Sequence, residues 1–315
     1  MEYVYFIPYF VPLAVIFISI EVYISVKNNE HLYGWKDSRT SAFVGIGAVL
    51  LQIFTKAATL AVFALVYELF LPLREQLGYT GLGWAWWVWL LAIICDDFSF
   101  YWHHRLSHSV RVLWAAHIVH HSSSYFNLGT AFRNGWVIFF YKPIFWLWMP
   151  AIGFNPVVVL TAMAINSTYQ FWLHTKKIGS LGHIEKFINT PYLHQIHHSR
   201  NPEYLDKNHS GIFIIWDRLF GTYHPGHTIH KKTFGVTTPP NSYNPIKVIT
   251  HEYENIWQDV KRAPGLGDKL KYIFYPPGWS HDGSSLTVRQ MRKSEEMKQS
   301  KVVTSYIGEE GEQRA

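Results

Sequence analysis

The chain has 315 residues, of which 49% are hydrophobic and 17% aromatic, with a net charge of +6. Its single cysteine, Cys95, excludes an intrachain disulfide framework and gives no support for a cysteine metal site. A basic chain can indicate a nucleic-acid partner. Here the Lys and Arg residues flank long apolar stretches, which is typical of membrane proteins. We therefore expect no nucleic-acid partner.

Long apolar stretches fill the chain up to about residue 172, and the rest is polar and charged. The first stretch lacks the basic start and cleavage site of a signal peptide, so we expect it to be retained. The second is too long for one crossing, and its membrane part is expected at 56–73. The last two predict a helical hairpin, although both are short enough to be re-entrant. The five stretches are residues 3–26, 42–73, 84–102, 137–154 and 156–172.

Basic residues follow the first, third and fifth stretches, and all three segments fall on one side if every stretch crosses the bilayer. Because cytoplasmic loops carry an excess of Lys and Arg, that side is expected to be cytoplasmic. The same topology places the histidine motifs at the cytoplasmic ends of the spans. The basic residues are Lys27, Lys36, Arg39, Arg105, Arg111, Lys176 and Lys177.

Histidines recur at helical spacing in three motifs, one HxxxH and two HxxHH. Residues three and four apart share one face of a helix. Neutral imidazole suits iron, zinc and copper, and nine candidates are enough for two ions. The motifs follow apolar and aromatic runs, which favours packed helices over a flexible tract that binds metal adventitiously. The candidates are His104, His108, His117, His120, His121, His174, His194, His197 and His198.

An acidic residue, Asp97, lies on the same helix face as His104 and His108. A carboxylate within an apolar span is costly and indicates function. We expect Asp97 to accept a hydrogen bond from a ligand imidazole or to relay protons. An ion pair or a helix–helix hydrogen bond is the alternative.

Three polar residues are weak candidates for contact with substrate: Asn127, Arg133 and Tyr169. Arg133 would either bind an anionic or polyol group or extend its guanidinium toward lipid headgroups. Composition slightly favours the second role, in which the Arg133 guanidinium extends toward lipid headgroups. His183 is expected to be an exposed helix residue without a role in the site.

Several familiar chemistries are excluded by missing motifs. The soluble di-iron pattern Glu-x-x-His, the zinc-protease motif HExxH and the hydrolase motif GxSxG are all absent. A bis-histidine haem would need only two ligands. An O₂-using centre with two metals at the bilayer surface remains, and such a centre can oxidise an unactivated C–H bond of a lipid.

The motifs HRxxH, HxxHH and a second HxxHH, in this order among apolar spans, resemble the fatty acid hydroxylase/sterol desaturase superfamily. The resemblance covers about residues 97–279. Longer strings, such as WAAHIVHHSSSYFNLGTAFR and NTPYLHQIHHSRN, are similar to the branch that oxidises alkylglycerols. The resemblance implies that the nine histidines hold two iron ions and that Asp97 orients the first motif. It also implies tetrahydrobiopterin as reductant and hydroxylation beside the ether oxygen of an alkylglycerol, which yields a fatty aldehyde and glycerol.

Three positions depart from that family pattern. His103 stands where an apolar or aromatic residue is expected, so we do not expect it to be a ligand. Ser109 replaces a common acidic residue, and His209 replaces an aromatic one. The last two departures concern the substrate and the electron donor rather than the metal site.

We therefore expect an all-α integral membrane bundle with a cytoplasmic histidine-rich cap for two metals, in a bacterial inner membrane or the endoplasmic reticulum. The expected division is 1–96 for N-terminal spans, 97–281 for the catalytic domain and 282–315 for a mobile tail. Two alternatives stay open. One is a sterol or fatty-acyl desaturase or hydroxylase that takes electrons from a cytochrome or ferredoxin. The other is a non-enzymatic metal-binding membrane protein.

Overall fold

The computed structural model describes residues 6–226 and 231–297. Within these ranges the chain is helical, and β pairing is limited to two isolated bridges. The all-α prediction is thus confirmed. The helices are α1 (Phe6–Lys27), α2 (Trp35–Leu69), α3 (Leu71–Gln76), α4 (Trp86–Ser109), α5 (Arg111–His121), α6 (Ile138–Tyr141), α7 (Trp148–Ala151), α8 (Pro156–Leu173), α9 (Pro191–His197), α10 (Ile215–Leu219), α11 (Pro245–Arg262) and α12 (Leu266–Phe274).

Two segments are long and apolar enough to cross a membrane: Phe10–Lys27 in α1 and Trp35–Gln76 across α2 and α3. Their apolar side chains are mostly uncovered by protein; for example, Phe54 is 74% and Leu65 is 67% exposed. Apolar surface of this extent is unfavourable in water. Together with the apolar first turns of α4, these helices suggest a membrane protein.

The segment 137–154 differs from the predicted first arm of a helical hairpin. It is divided into α6, a 3₁₀ turn at Lys142–Trp146, and α7. Pro143 and Pro150 lie within it, and proline removes a backbone donor and clashes with the preceding turn of a helix. The first arm of the predicted helical hairpin is therefore interrupted, and the alternative of a re-entrant segment stays open. Hydropathy located the apolar segment correctly but did not determine its conformation.

The helix α4 is central to the fold and packs chiefly against α5 and α8. Its apolar half contributes Val88 and Ala92 to a buried cluster that includes Phe63 of α2 and Val158 of α8. Between membrane helices, van der Waals packing of such side chains stabilises the association. This core fixes the position of the histidine-bearing end of α4.

The chain after residue 282 is partly ordered. Residues 288–297 are helical, and the Arg292 guanidinium donates to the carbonyl oxygen atoms of Pro202 and Leu205. The rest of the predicted mobile tail, 298–315, lies outside the described residues. The proposed boundaries at residues 96 and 281 stay predictions.

Candidate metal centre

A tight connection between α4 and α5 brings the first two histidine motifs together. α4 ends at Ser109, Val110 adopts an extended conformation, and α5 starts at Arg111. His104 Nε2 lies 3.0 Å from His117 Nε2, which in turn lies 3.1 Å from His121 Nε2. His108 and His197 complete a group whose ligand atoms all lie within 4.8 Å of one another. We call His104, His108, His117, His121 and His197 the first histidine cluster.

The remaining four candidates form a second histidine cluster, composed of His120, His174, His194 and His198. His174 directly follows α8, and its Nε2 lies 3.0 Å from His120 Nε2 and 3.1 Å from His194 Nε2. The helix α9 carries the last motif. The Thr190 side chain accepts a hydrogen bond from Leu193 N at its start, and Pro191 occupies its first turn. Both features are typical of a helix N-terminus.

Each HxxHH motif supplies both clusters. The first and last histidines of a motif, at i and i+4, enter one cluster, and the middle histidine enters the other. On a helix, position i+4 is rotated by about 40° from position i, and position i+3 is rotated by about 60° in the other direction. The single face expected from the sequence is thus divided between two neighbouring groups.

The donor set fits metal ions. Nε2 of His108, His197 and His198 is buried with no hydrogen-bond partner among the described residues. Buried polar atoms without a partner are costly, and metal coordination removes that cost. Nine convergent imidazoles can hold two ions of iron, zinc or copper.

Burial keeps these imidazoles neutral, as metal ligands must be. It lowers the pKa of His174 to about 4. Burial, with the neighbouring His209 imidazole as a smaller cause, lowers the pKa of His197 to about 3.

One loop holds the outer nitrogen atoms of three imidazoles in the first histidine cluster. His104 Nδ1 lies 2.7 Å from His209 O, and His197 Nδ1 lies 2.8 Å from Lys207 O. His108 Nδ1 lies 3.3 Å from Asp206 Oδ1. Such contacts fix the tautomer and direct Nε2 toward the metal. We call residues 206–213 the outer loop.

Two carboxylates hold the outer loop through its backbone. Asp217 accepts from the amides of His209 and Ser210, each at 2.8 Å. Asp97 accepts from Ile212 N at 2.7 Å and Phe213 N at 2.8 Å. The predicted hydrogen bond from a ligand imidazole to Asp97 is therefore wrong. Asp97 contacts the outer loop and not a cluster imidazole, because amides of that loop donate to both of its oxygen atoms.

Close packing explains the glycine in the outer loop. A Cβ atom at Gly211 would lie 2.6 Å from Asp97 Oδ1 and 2.5 Å from Asn166 Oδ1. The Asn166 amide also donates to Asp96 and Asp97, at 2.8 and 3.0 Å. Only glycine allows the loop to approach these groups.

The three weak substrate candidates are engaged by protein groups. The Asn127 side chain accepts from Thr130 N in a capping box. Arg133 is 1% exposed and donates to Asp37 Oδ1 at 2.7 Å, so the predicted extension toward headgroups was wrong. The Tyr169 hydroxyl donates to Asn189 O at 2.6 Å. A role of Asn127, Arg133 and Tyr169 in substrate binding stays a prediction.

Among the described residues, three further buried histidines lie outside the clusters: His103, His209 and His251. His103 packs against Tyr141 and Phe145, and neither of its ring nitrogen atoms has a hydrogen-bond partner among the described residues. The His209 ring centroid lies 5.1 Å from that of His108. His183 is exposed in a 3₁₀ turn.

A cavity of about 560 Å³ reaches the clusters from the side of α5 and α11. His108, His121, His197 and His198 form part of its wall. This cavity could not be predicted from the sequence, because its wall comes from segments far apart in the chain.

Two buried imidazole clusters within a helical fold form a donor set that is suited to metal binding. Comparison with known proteins shows that residues 89–222 match the fatty acid hydroxylase model. The predicted resemblance is confirmed.

Relatives extend the match beyond this domain. Alkylglycerol monooxygenase of Homo sapiens is 34% identical over 282 residues, which cover 86% of this chain and 58% of that protein. The Danio rerio protein of the same name is 34% identical, covering 87% and 58%. Ornithine lipid hydroxylase OlsE of Rhizobium tropici is 28% identical over 43% of this chain and 41% of its own. The chain thus spans a little over half the length of the alkylglycerol monooxygenases. No solved structure matches it.

Proposed function

We propose that the chain is a membrane-bound di-iron monooxygenase that hydroxylates a C–H bond of a lipid. The observation that carries the proposal is the pair of buried histidine clusters at the end of α4. The first turns of this helix expose large apolar side chains, including Trp86 and Leu90. A lipid in the bilayer and a metal centre would therefore meet along one helix.

The first histidine cluster would hold one iron and the second histidine cluster the other. Bound iron supplies the redox chemistry that activates O₂. The chain's own residues do the rest. Burial excludes water, the outer loop orients three imidazoles, and Asp97 and Asp217 hold that loop. We assign Asp97 a positioning role on this basis.

We propose an alkylglycerol as substrate, oxidised at the carbon beside the ether oxygen. One atom of O₂ enters the C–H bond, and the other becomes water with two electrons and two protons from a donor. The hemiacetal formed would collapse to a fatty aldehyde and glycerol. The names of the relatives that align with most of this chain support this substrate class. We propose tetrahydrobiopterin as the donor.

We further propose a multi-pass topology with the metal centre on the cytoplasmic side. Support comes from the two apolar helical segments and from the basic residue at the end of the first one, Lys27. Labelling of single cysteines from each side of sealed vesicles tests this topology. A label that reaches the cap from outside would contradict it.

The reaction is tested with purified, iron-loaded protein, an alkylglycerol and O₂, with and without tetrahydrobiopterin. Pterin-dependent fatty aldehyde is the expected result. Oxidation of a sterol or acyl lipid with a cytochrome donor, and no aldehyde, would assign the protein to another branch of the family. Tight metal binding without O₂ consumption with any lipid would favour a non-enzymatic metal-binding protein.

A further inference from the structure

The cavity beside the clusters is lined by charged, imidazole and apolar side chains. Its lining residues come from α5, α11 and the segments that follow α9 and α12, as well as from the end of α4. Neither α1, α2 nor α8 contributes to its wall. A lipid chain that approaches along α1, α2 or α8 would therefore reach the clusters from elsewhere, which leaves this opening for a second reactant.

Lipid hydroxylation needs a second reactant that carries electrons. Insertion of one oxygen atom and reduction of the other to water consume two electrons that neither the lipid nor O₂ supplies. The donor must approach the metal ligands, and four ligand imidazoles line this cavity. Its volume, about 560 Å³, suits a small molecule and not a folded redox protein.

The wall offers hydrogen-bond acceptors and aromatic faces. Arg111 Nε donates to Glu252 at 2.9 Å, and its Nη1 donates to Asp259 at 2.7 Å. One guanidinium thus faces two carboxylates, which leaves oxygen lone pairs for N–H donors of a ligand. Two indole rings, Trp114 and Trp279, also line the cavity. Such rings favour a flat ligand.

The Trp114 ring connects the cavity to the first histidine cluster. Its centroid lies 5.0 Å from that of His108 and 5.6 Å from that of His121. A ligand that stacks on Trp114 would therefore lie within one side chain of the metal ligands.

We propose that this cavity binds the reductant, a small water-soluble two-electron donor in the form of a planar nitrogen heterocycle with adjacent N–H groups. Glu252 and Asp259 accept from its N–H edge, and Trp114 packs against its ring. The inference rests on the proposed monooxygenase function and adds the place where its electrons enter.

The test uses tetrahydrobiopterin as probe and the full chain in detergent, iron-loaded and free of lipid and O₂. Calorimetric titration gives the Kd for wild type, Asp259→Asn and Trp114→Leu. Because a hydrogen bond to a charged group is lost, we expect Asp259→Asn to raise Kd about tenfold or more. Trp114→Leu should raise it as well. In turnover, the KM for the pterin should rise while the KM for the alkylglycerol and the iron content stay unchanged.

Glu254→Gln is the matched control, since it neutralises a carboxylate on the same helix α11 that pairs with Lys247 outside the cavity. It should leave the Kd unchanged. Thermal unfolding of each variant shows that the fold is intact. Unchanged pterin binding in both cavity variants, or a raised KM for the alkylglycerol instead, would overturn the inference.

The two proposals fail in different ways. Wild-type protein that binds the pterin in this cavity but consumes no O₂ with any alkylglycerol contradicts the proposed substrate and leaves the site. Pterin-dependent turnover with binding that ignores Asp259 and Trp114 contradicts the site and leaves the reaction.

Discussion

The two histidine clusters are held in different ways. In the first, the outer loop fixes Nδ1 of His104 and His197 through backbone carbonyl oxygen atoms. In the second, His174 Nδ1 lies 2.8 Å from Gln170 O in the preceding turn, and His194 Nδ1 has no partner among the described residues. Phe126 packs against the second cluster, with its ring centroid 5.1 Å from that of His198. The first cluster thus depends on a distant polar loop, and the second on local structure and apolar packing.

The largest expected effect is the loss of one ligand from either cluster. We expect His117→Ala and His120→Ala to lower kcat by more than about 10³-fold, because ligands act as a unit. Metal analysis should show about one iron lost in each variant, from a different cluster. Full activity in either variant would remove that residue from the centre.

The next largest effect is expected in the iron affinity of the first histidine cluster and not in that of the second. Asp217→Asn weakens the hydrogen bonds from the His209 and Ser210 amides, which hold the outer loop in place. Loss of a group that orients metal ligands typically lowers metal affinity about 10–100-fold. We expect one of two irons to bind more weakly in a metal titration, and the other to bind as before. Asp268→Asn, on the partly exposed start of α12, is the control and should change neither. Equal weakening of both irons would contradict independent support of the clusters.

A pH effect follows from the lowered pKa values in metal-free protein. His174 and His197 have pKa values of about 4 and 3 in the fold, below the unfolded value of about 6.5. The unfolded chain therefore binds more protons below pH 6.5, and the folded state loses stability as pH falls. Each group contributes up to about 1.4 kcal/mol per pH unit between its two pKa values. Thermal unfolding at pH 7.5 and 5.5 measures this loss, and equal stability at both values would contradict it.

The smallest effect concerns His103, a buried histidine outside both clusters. His103→Ala should leave the iron content unchanged and cost about 0.5–3 kcal/mol of stability, because the side chain only fills space beside Tyr141 and Phe145. His104→Ala, one position further, should lose iron and activity. If His103→Ala loses iron to the same extent, the division between ligands and packing residues is wrong.

Spacing identified the nine clustered histidines but not their arrangement. His117, His120 and His121 were identifiable because helical periodicity is local. Their division between two clusters depends on how α4, α5 and α9 pack, which the spacing does not contain. The hydrogen bonds to Nδ1 of His197 and His104 were not predicted, for another reason. Their partners are the backbone carbonyl oxygen atoms of Lys207 and His209, and a backbone atom has no residue-specific sequence pattern.

Some errors arose from apolar composition. Arg133 was expected to reach headgroups because it precedes an apolar stretch, but Asp37, 96 residues earlier in the chain, pairs with it. The helical hairpin was expected from hydropathy, and Pro143 and Pro150 lie where the helix is interrupted. The three residues Asp206, Lys207 and Asn208 carry a local signal for the turn in the outer loop. Asp206 and Asn208 have positive φ, 52° and 57°, and Asp and Asn tolerate this conformation better than most residues.

The most direct test of two separate metal sites is an anomalous difference map at the iron edge from crystals of the iron-loaded protein. We expect two peaks, one among His104, His108, His117, His121 and His197 and the other among His120, His174, His194 and His198. A single peak, or a peak outside these imidazoles, would contradict the di-iron account.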